Sequence, residues 1–256
     1  MIDWHCHILP GLDDGPATMD EAITMAAALS KAGFTMAYCT PHLIRGSFTA
    51  ENETVRKTVA ALQEELDHRR IELRLFPGRE YYLDEFLADY LKDPLPLGDT
   101  RFLLIEIPGH MSRDFVKETC FRIKCGGYIP MIAHPERCAL FDAEASGKKN
   151  RHNNLASYLG SLLNGKNPLR ETQHAPDDDV PLLSYLKDLG CAFQGNRGSL
   201  GGMYGAHVRK KAEYLSRRGW ITHWGTDLHD LGQADTILRV TLENLTTGCI
   251  EQRASV

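Results

Sequence analysis

Short, continuously apolar runs alternate along the chain with longer amphipathic segments. The runs Met1–Trp4, Phe34–Thr40, Ile71–Phe76, Phe102–Ile107, Tyr128–Ala133, Cys191–Gln194 and Trp220–Trp224 read as buried strands. Helical spacing fills the intervals Ala17–Ala32, Glu51–Arg70, Leu83–Leu91, Arg113–Lys124, Pro181–Leu189, Ala206–Arg218 and Ala234–Leu245. The first helix is punctuated at both ends: Thr18 is placed to cap it with Glu21 three residues on, and Gly33 stops it. The fourth ends at Gly126-Gly127. Strands that are apolar throughout and alternate with helices predict an α/β fold of about seven βα units, with a parallel sheet covered by helices.

The stretch Cys138–Val180 breaks this rhythm. It is polar and weakly periodic, with Lys148-Lys149-Asn150-Arg151 near its start and Asp177-Asp178-Asp179 near its end, and only Leu155–Leu163 has helical character. An interval this long without regular structure reads as a lid or as a solvated insertion. The charge of the basic run Lys148–Arg151 would steer an acidic partner.

With 256 residues the chain suits one large domain, and 43% hydrophobic residues can bury a sizeable core. The formal charge of −5 provides no global basic field, and no aromatic-basic patch is present, so nucleic acid is not an expected partner. Seven cysteines without a CxxC pair predict reduced thiols and a cytoplasmic location. No stretch of about 18 apolar residues predicts membrane insertion. Nor does the N-terminus resemble a secretory leader, whose removal would delete His5 and His7.

Candidate chemistry gathers at the strand ends. His5 and His7, two apart on a strand, share a face and can offer two imidazoles to one metal; Cys6 between them points the other way. Alone, this pair is a weak signal. It is answered by Asp13-Asp14 in the first loop, His42 after the second strand, Glu80 after the third and Glu106 ending the fourth. His134 follows the fifth, and Asp227 and His229 follow the last. In an α/β barrel such ends converge on one face, whereas the outer strands of an open sheet lie too far apart to share a site, so this distribution favours closure. His5, His7, Asp14, His42, Glu80, Glu106, His134, Asp227 and His229 make nine candidate ligands, too many for one ion. They suit two or three clustered divalent ions, with manganese, iron or zinc preferred to calcium. Such clusters recur in phosphoester hydrolysis.

The sequence resembles the PHP (polymerase and histidinol phosphatase) superfamily. Within it, the chain is most similar to the bacterial manganese-dependent tyrosine-protein phosphatases of capsular and exopolysaccharide operons. The opening Met1–Gly15, the motifs Thr40-Pro41-His42, Gly78-Arg79-Glu80, Ile105-Glu106, Ala133-His134-Pro135-Glu136-Arg137 and Thr226-Asp227-Leu228-His229, and the stretch Gly195–Gly202 carry the resemblance. It covers nearly the whole chain outside 138–180. It implies a single PHP-type metallophosphatase domain over 1–256, folded as a distorted (β/α)7 TIM-like barrel. Its metal site would lie at the C-terminal ends of the strands and hold manganese, with iron, zinc or magnesium as alternatives. The implied substrate is phosphotyrosine on the tail of a tyrosine kinase of polysaccharide export. Arg197 and the insertion depart from the group's pattern.

Two arginines are candidates for the catalytic work: Arg137, beside His134, could clamp a phosphoryl oxygen with its planar fork, and Arg45, just past His42, is the second. Other readings are a phosphatase for histidinol phosphate or another small molecule, a nuclease, and a non-catalytic metal-binding regulatory module. A cysteine mechanism would need C-x5-R; Cys39–Arg45 and Cys191–Arg197 both have that spacing, without the His and glycine cradle that usually accompany it.

Overall fold

The computed structural model describes residues 1–142 and 181–240. Most of the polar insertion, including Lys148–Arg151 and Leu155–Leu163, lies outside the described residues, as does everything after Val240.

In chain order the elements are β1 (Ile2–Cys6), α1 (Met19–Lys31), β2 (Met36–Cys39), β3 (His42–Leu43), α2 (Asn52–His68), β4 (Arg74–Pro77), β5 (Glu80–Tyr82), α3 (Leu87–Tyr90) and β6 (Phe102–Glu106). There follow α4 (Arg113–Cys125), β7 (Ile129–Ala133), a 3-10 turn at Ala139–Phe141, α5 (Leu182–Asp188), β8 (Ala192–Asn196), α6 (Arg197–Leu200), α7 (Gly205–Arg217), β9 (His223–Gly225) and α8 (Leu231–Leu238). Every strand pairing is parallel, in the orders β1-β2-β4 and β3-β5-β6-β7-β8-β9.

Among the described residues nine strands fill seven barrel positions, because β3 continues β2 and β5 continues β4. The first break falls at Pro41, which has no N–H to give to a ladder. The second falls at Gly78-Arg79, where a Cβ on Gly78 would come 2.6 Å from Leu97 Cδ2. The ring closes between β9 and β1 through single contacts and not a ladder: Asp227 N donates to His5 O (2.8 Å) and His7 N to Leu228 O (3.1 Å). The expected distorted (β/α)7 barrel is therefore present, its distortion lying in two broken strands and one irregular seam.

Alternation along the strands sorts the interior. Phe102 and Leu104 of β6, Ile129, Met131 and Ala133 of β7 and Ala192 of β8 pack inside with Trp4 and Tyr38. Ile105, Ile132 and Phe193 face outward against α4, α5 and α7. A register shift between Asp3 and Cys6 turns both Trp4 and His5 inward. Apolar side chains thus plug the N-terminal half of the barrel, and the same alternation delivers Glu106, Gln194 and Asn196 to the C-terminal mouth. Cys6 joins the outer cluster of β1, α1 and α2, as expected of a packing residue.

The capping box of α1 forms as its sequence predicts: Thr18 Oγ1 accepts from Glu21 N, and Glu21 Oε2 accepts from Thr18 N (3.1 Å). Several boundaries differ by a few residues, and three of the differences have a local cause. The helix expected over Leu83–Leu91 is reduced to α3, because Asp84 Oδ1 takes the Phe86 N–H (2.9 Å) and makes a turn there. The last strand lies at His223–Gly225 and not Trp220–Trp224, since Ile221 is spent on packing outside the barrel. The last helix starts at Leu231, three residues before Ala234, because Asp230 caps it through Gln233 N (3.2 Å). Among the described residues no helix is long and apolar enough to cross a membrane. The described cysteines carry free thiols.

Candidate metal centre

The floor of the barrel mouth is set by two fully buried imidazoles. His5 Nδ1 donates to Gln194 Oε1 (2.8 Å), and His7 Nδ1 donates to Asp13 Oδ2 (2.7 Å). Both partners accept at these atoms, so each ring keeps its proton on Nδ1 and turns the lone pair of Nε2 inward. The two Nε2 atoms lie 2.9 Å apart. Two facing lone pairs at that distance repel unless a cation or a proton sits beside them. Glu80 Oε2 lies 3.2 Å from each Nε2, and Asp227 Oδ1 lies 3.3 Å from that of His5 and 3.5 Å from that of His7.

Two further groups adjoin this one. Asp14 Oδ1 is 3.4 Å from His229 Nε2 and 3.7 Å from His42 Nε2, and His229 keeps Nε2 free by donating from Nδ1 to Asp227 O (3.0 Å). His42 Nδ1 lies 3.0 Å from Glu80 Oε2, close to Glu106. The three groups share members: His7 joins the first two, Glu80 and His42 link to the third, and within each group the donor atoms lie within 4.8 Å of one another. His134 Nε2 completes the wall, 3.0 Å from Glu80 Oε1 and 3.9 Å from Glu106 Oε1. All nine residues named from the sequence are thus drawn into one cluster. It opens into a polar cavity of about 380 Å³.

Burial should empty such a site of charge, yet the charges persist because they compensate one another. Burial presses His5 down, but Glu80 and Asp227 outweigh it and lift the ring to about 9. Burial likewise opposes ionisation of Asp227, and His5, His134 and His7 override it, holding the carboxyl at about 2. Glu80 is held well below the usual carboxylate range in the same way. Glu106 is pushed up by burial and by Glu80. Protons shared between buried imidazoles and carboxylates occupy the place that a cation would take, and metal binding releases such protons. Glu80 Oε2 and His42 Nδ1 are moreover buried without a hydrogen-bond partner, although 3.0 Å apart. Mixed imidazole and carboxylate donors with orphaned inner atoms fit divalent cations. Backbone geometry agrees, since His134 (φ 30°) and Asp227 (φ 54°) hold the sparsely populated left-handed region that over-determined functional sites tolerate.

The two arginines part company. Arg137 lines the cavity, with Nη1 on Asp227 Oδ2 (2.6 Å) and its guanidinium 4.4 Å from the ring centre of Tyr204. Arg45 is exposed and does not line the cavity; its guanidinium sits 3.9 Å from the ring centre of Phe86. Neither C-x5-R segment makes a phosphate cradle. Cys39 is fully buried and its thiol is pushed up by that burial, the opposite of what a nucleophile needs. Arg197 turns away to Val240 O and Phe34.

Several supporting residues were not singled out from the sequence. Gln194 and Asn196 end β8, the one barrel position that brings no candidate ligand. Asn196 Nδ2 donates to Asp227 Oδ2 (2.7 Å). Asp3 accepts from Thr226 N (2.8 Å), Thr226 Oγ1 (2.6 Å) and His5 N (3.2 Å), clamping the β9–β1 seam, and burial still raises its carboxyl to about 6. A carboxylate inside an otherwise apolar strand run was the available signal for Asp3.

Residues 1–150 match the family described as capsular polysaccharide synthesis, CpsB/CapC. The chain is also 31% identical over 234 residues to the tyrosine-protein phosphatase YwqE of Bacillus subtilis, covering 90% of this chain and 78% of that protein. The chain belongs to the CpsB/CapC family. A solved structure from work on YwqE of Bacillus subtilis and CpsB of Streptococcus pneumoniae, described as unique metal-dependent tyrosine phosphatases, superposes with a TM-score of 0.73 at 28% identity, covering 95% of this chain and 87% of that one. Histidinol phosphate phosphatase of Lactococcus lactis, solved with zinc, L-histidinol and phosphate, shares the fold at 12% identity and a TM-score of 0.50, covering 96% of this chain and 93% of that one. The resemblance to the capsular tyrosine-protein phosphatase group, argued from the strand-end motifs, is borne out.

Proposed function

We propose that this member of the CpsB/CapC family is a metal-dependent protein-tyrosine phosphatase acting in the cytoplasm on the phosphorylated tail of a tyrosine kinase of polysaccharide export. The single observation that carries the reading is the buried cluster at the base of the open cavity, where His5, His7, Glu80 and Asp227 turn one donor atom each to within 4.8 Å of the others. The nine clustered residues would hold two or three divalent ions, manganese first.

Bound divalent ions supply Lewis acidity toward phosphoryl oxygens and acidify water to a usable nucleophile near neutral pH. The chain's own residues do the rest. Gln194 and Asp13 fix the tautomers of His5 and His7, as outer partners of ligating imidazoles do. Arg137, held at the rim by Asp227, presents a planar fork to a phosphoryl oxygen. Its charge beside Asp227, Glu80 and Glu106 keeps an anionic ester from facing uncompensated negative charge. Phenolate, with a pKa of about 10, leaves with modest assistance.

The test is metal-free protein reloaded in turn with manganese, iron, zinc and magnesium, each assayed on a phosphotyrosine peptide, histidinol phosphate and a phosphodiester. Turnover of the peptide above the other two, strongest with manganese and abolished in Glu80→Gln, is the expected result. Preference for histidinol phosphate would move the reading to a small-molecule phosphatase. Metal binding with no turnover of any substrate would leave a regulatory module.

A further inference from the structure

Arg137 is fixed at its backbone but long beyond it. Arg137 N donates to His134 O (2.8 Å) in a tight turn, and the side chain must then span to the cavity against the entropy of a flexible stem. Two contacts hold its head: Asp227 Oδ2 at 2.6 Å and the face of Tyr204 at 4.4 Å. They are not equivalent. Asp227 Oδ1 faces His5 and His7, so the charge of Asp227 is shared with whatever occupies the metal centre. The Tyr204 face carries no such obligation.

Tyr204 is itself tethered. Its hydroxyl accepts from Asn196 Nδ2 (3.4 Å), the group that also donates to Asp227 Oδ2. Asn196 is pinned twice more, its Oδ1 accepting from Gly198 N (2.7 Å) and its own N donating to Glu136 Oε1 (2.9 Å). Glu136 is the residue before Arg137, so the contacts form a closed circuit, Glu136–Asn196–Tyr204–Arg137. Tyr204 is also the one Phe, Tyr or Trp among the described residues lining the cavity. An arginine stacked on a ring keeps its in-plane N–H groups free for an anion.

We propose that Tyr204 is a positioning residue that holds the Arg137 guanidinium in place by stacking and thereby sets the affinity of the site for phosphoryl groups. The inference rests on Arg137 as the phosphoryl clamp. The probe is inorganic phosphate, titrated calorimetrically into the manganese-loaded full chain, with metal content measured alongside. Tyr204→Leu should weaken phosphate about tenfold, the range of a partly desolvated cation–π contact. Tyr204→Phe, which keeps the ring, should restore binding to within about twofold of the native chain. Metal content should not change, and KM for a phosphotyrosine peptide should rise more than kcat falls. The Tyr204→Leu, Arg137→Ala double variant should bind phosphate no worse than Arg137→Ala alone, since Tyr204 acts through Arg137. Additive losses, or metal loss in Tyr204→Leu, would overturn the proposal. If Tyr204→Leu does not fold, Arg137→Lys keeps the charge and loses the plane; native phosphate affinity in that variant would overturn it equally. If Arg137→Ala itself binds phosphate normally, the clamp reading fails first and the role of Tyr204 falls with it.

Discussion

Asp13 and Asp14 are neighbours with different work. Asp14 reaches toward His42 and His229 from a half-exposed position, whereas Asp13 is bonded to His7 Nδ1 and to His42 N and stands behind the imidazoles. Its carboxyl is held at about 2; burial opposes this, and the bond and charge of His7 outweigh it. Asp13→Asn removes that charge and frees His7 to change tautomer. We expect about 10–100-fold weaker manganese binding, the usual cost of losing an outer partner. Turnover should largely recover at saturating metal, as a metal titration of activity would reveal; an unchanged isotherm would rule out the orienting role. His223 offers a test away from the metal centre. Its ring is pressed between Trp4 (4.3 Å) and Phe102 (5.0 Å), and burial pushes it down from 6.5 to about 4. The folded state therefore prefers the neutral ring. The resulting stability is present above the ordinary value near 6.5 and is lost as pH falls toward 4. Melting of chelated protein between these pH values should show a fall in Tm for the native chain that is smaller in His223→Phe. Equal slopes would refute it.

Elements decide how close the donors come. β9 runs so near β1 that a Cβ on Gly225 would sit 2.5 Å from His5 Cβ and 2.8 Å from Gln194 Nε2. Gly225→Ala must push β9 outward or turn His5 away from Gln194. We expect a loss of about 1–3 kcal/mol, as for overpacked cores, together with reduced metal content. Normal melting and full loading would show that the seam yields more easily than its spacing suggests. The start of α1 was legible because a capping box is a local signal, complete within four residues. The shortness of α3 was not, because Asp84 competes for a backbone N–H that periodicity alone assigns to a helix. Strand breaks at Pro41 and Gly78 were likewise hidden inside runs that read as a single strand plus its following motif.

At the scale of the molecule, the proposed ions are part of the fold's stability. Chelated protein keeps the cluster only by sharing protons among buried imidazoles and carboxylates. Manganese at about a hundred times its dissociation constant should add about 2.7 kcal/mol, or about 5–10 °C in Tm for a chain of this size. Calorimetric melts with and without chelator check this, and coincident melts would argue against a site built into the folded state.

The order of residues along the chain already shows which positions alternate, which runs are strands, and that a His, Asp or Glu follows almost every one; this was enough to predict a closed α/β barrel and to name the nine clustered residues. These are local properties, written in periods of two and of 3.6. It did not separate Arg137 from Arg45, or assign the supporting parts of Asp13, Gln194, Asn196 and Tyr204. Those depend on distances between side chains as far apart in sequence as His5 and Gln194, or Arg137 and Asp227. Such distances exist only once the ring has closed, because closure converts positions along separate strands into neighbours around one mouth.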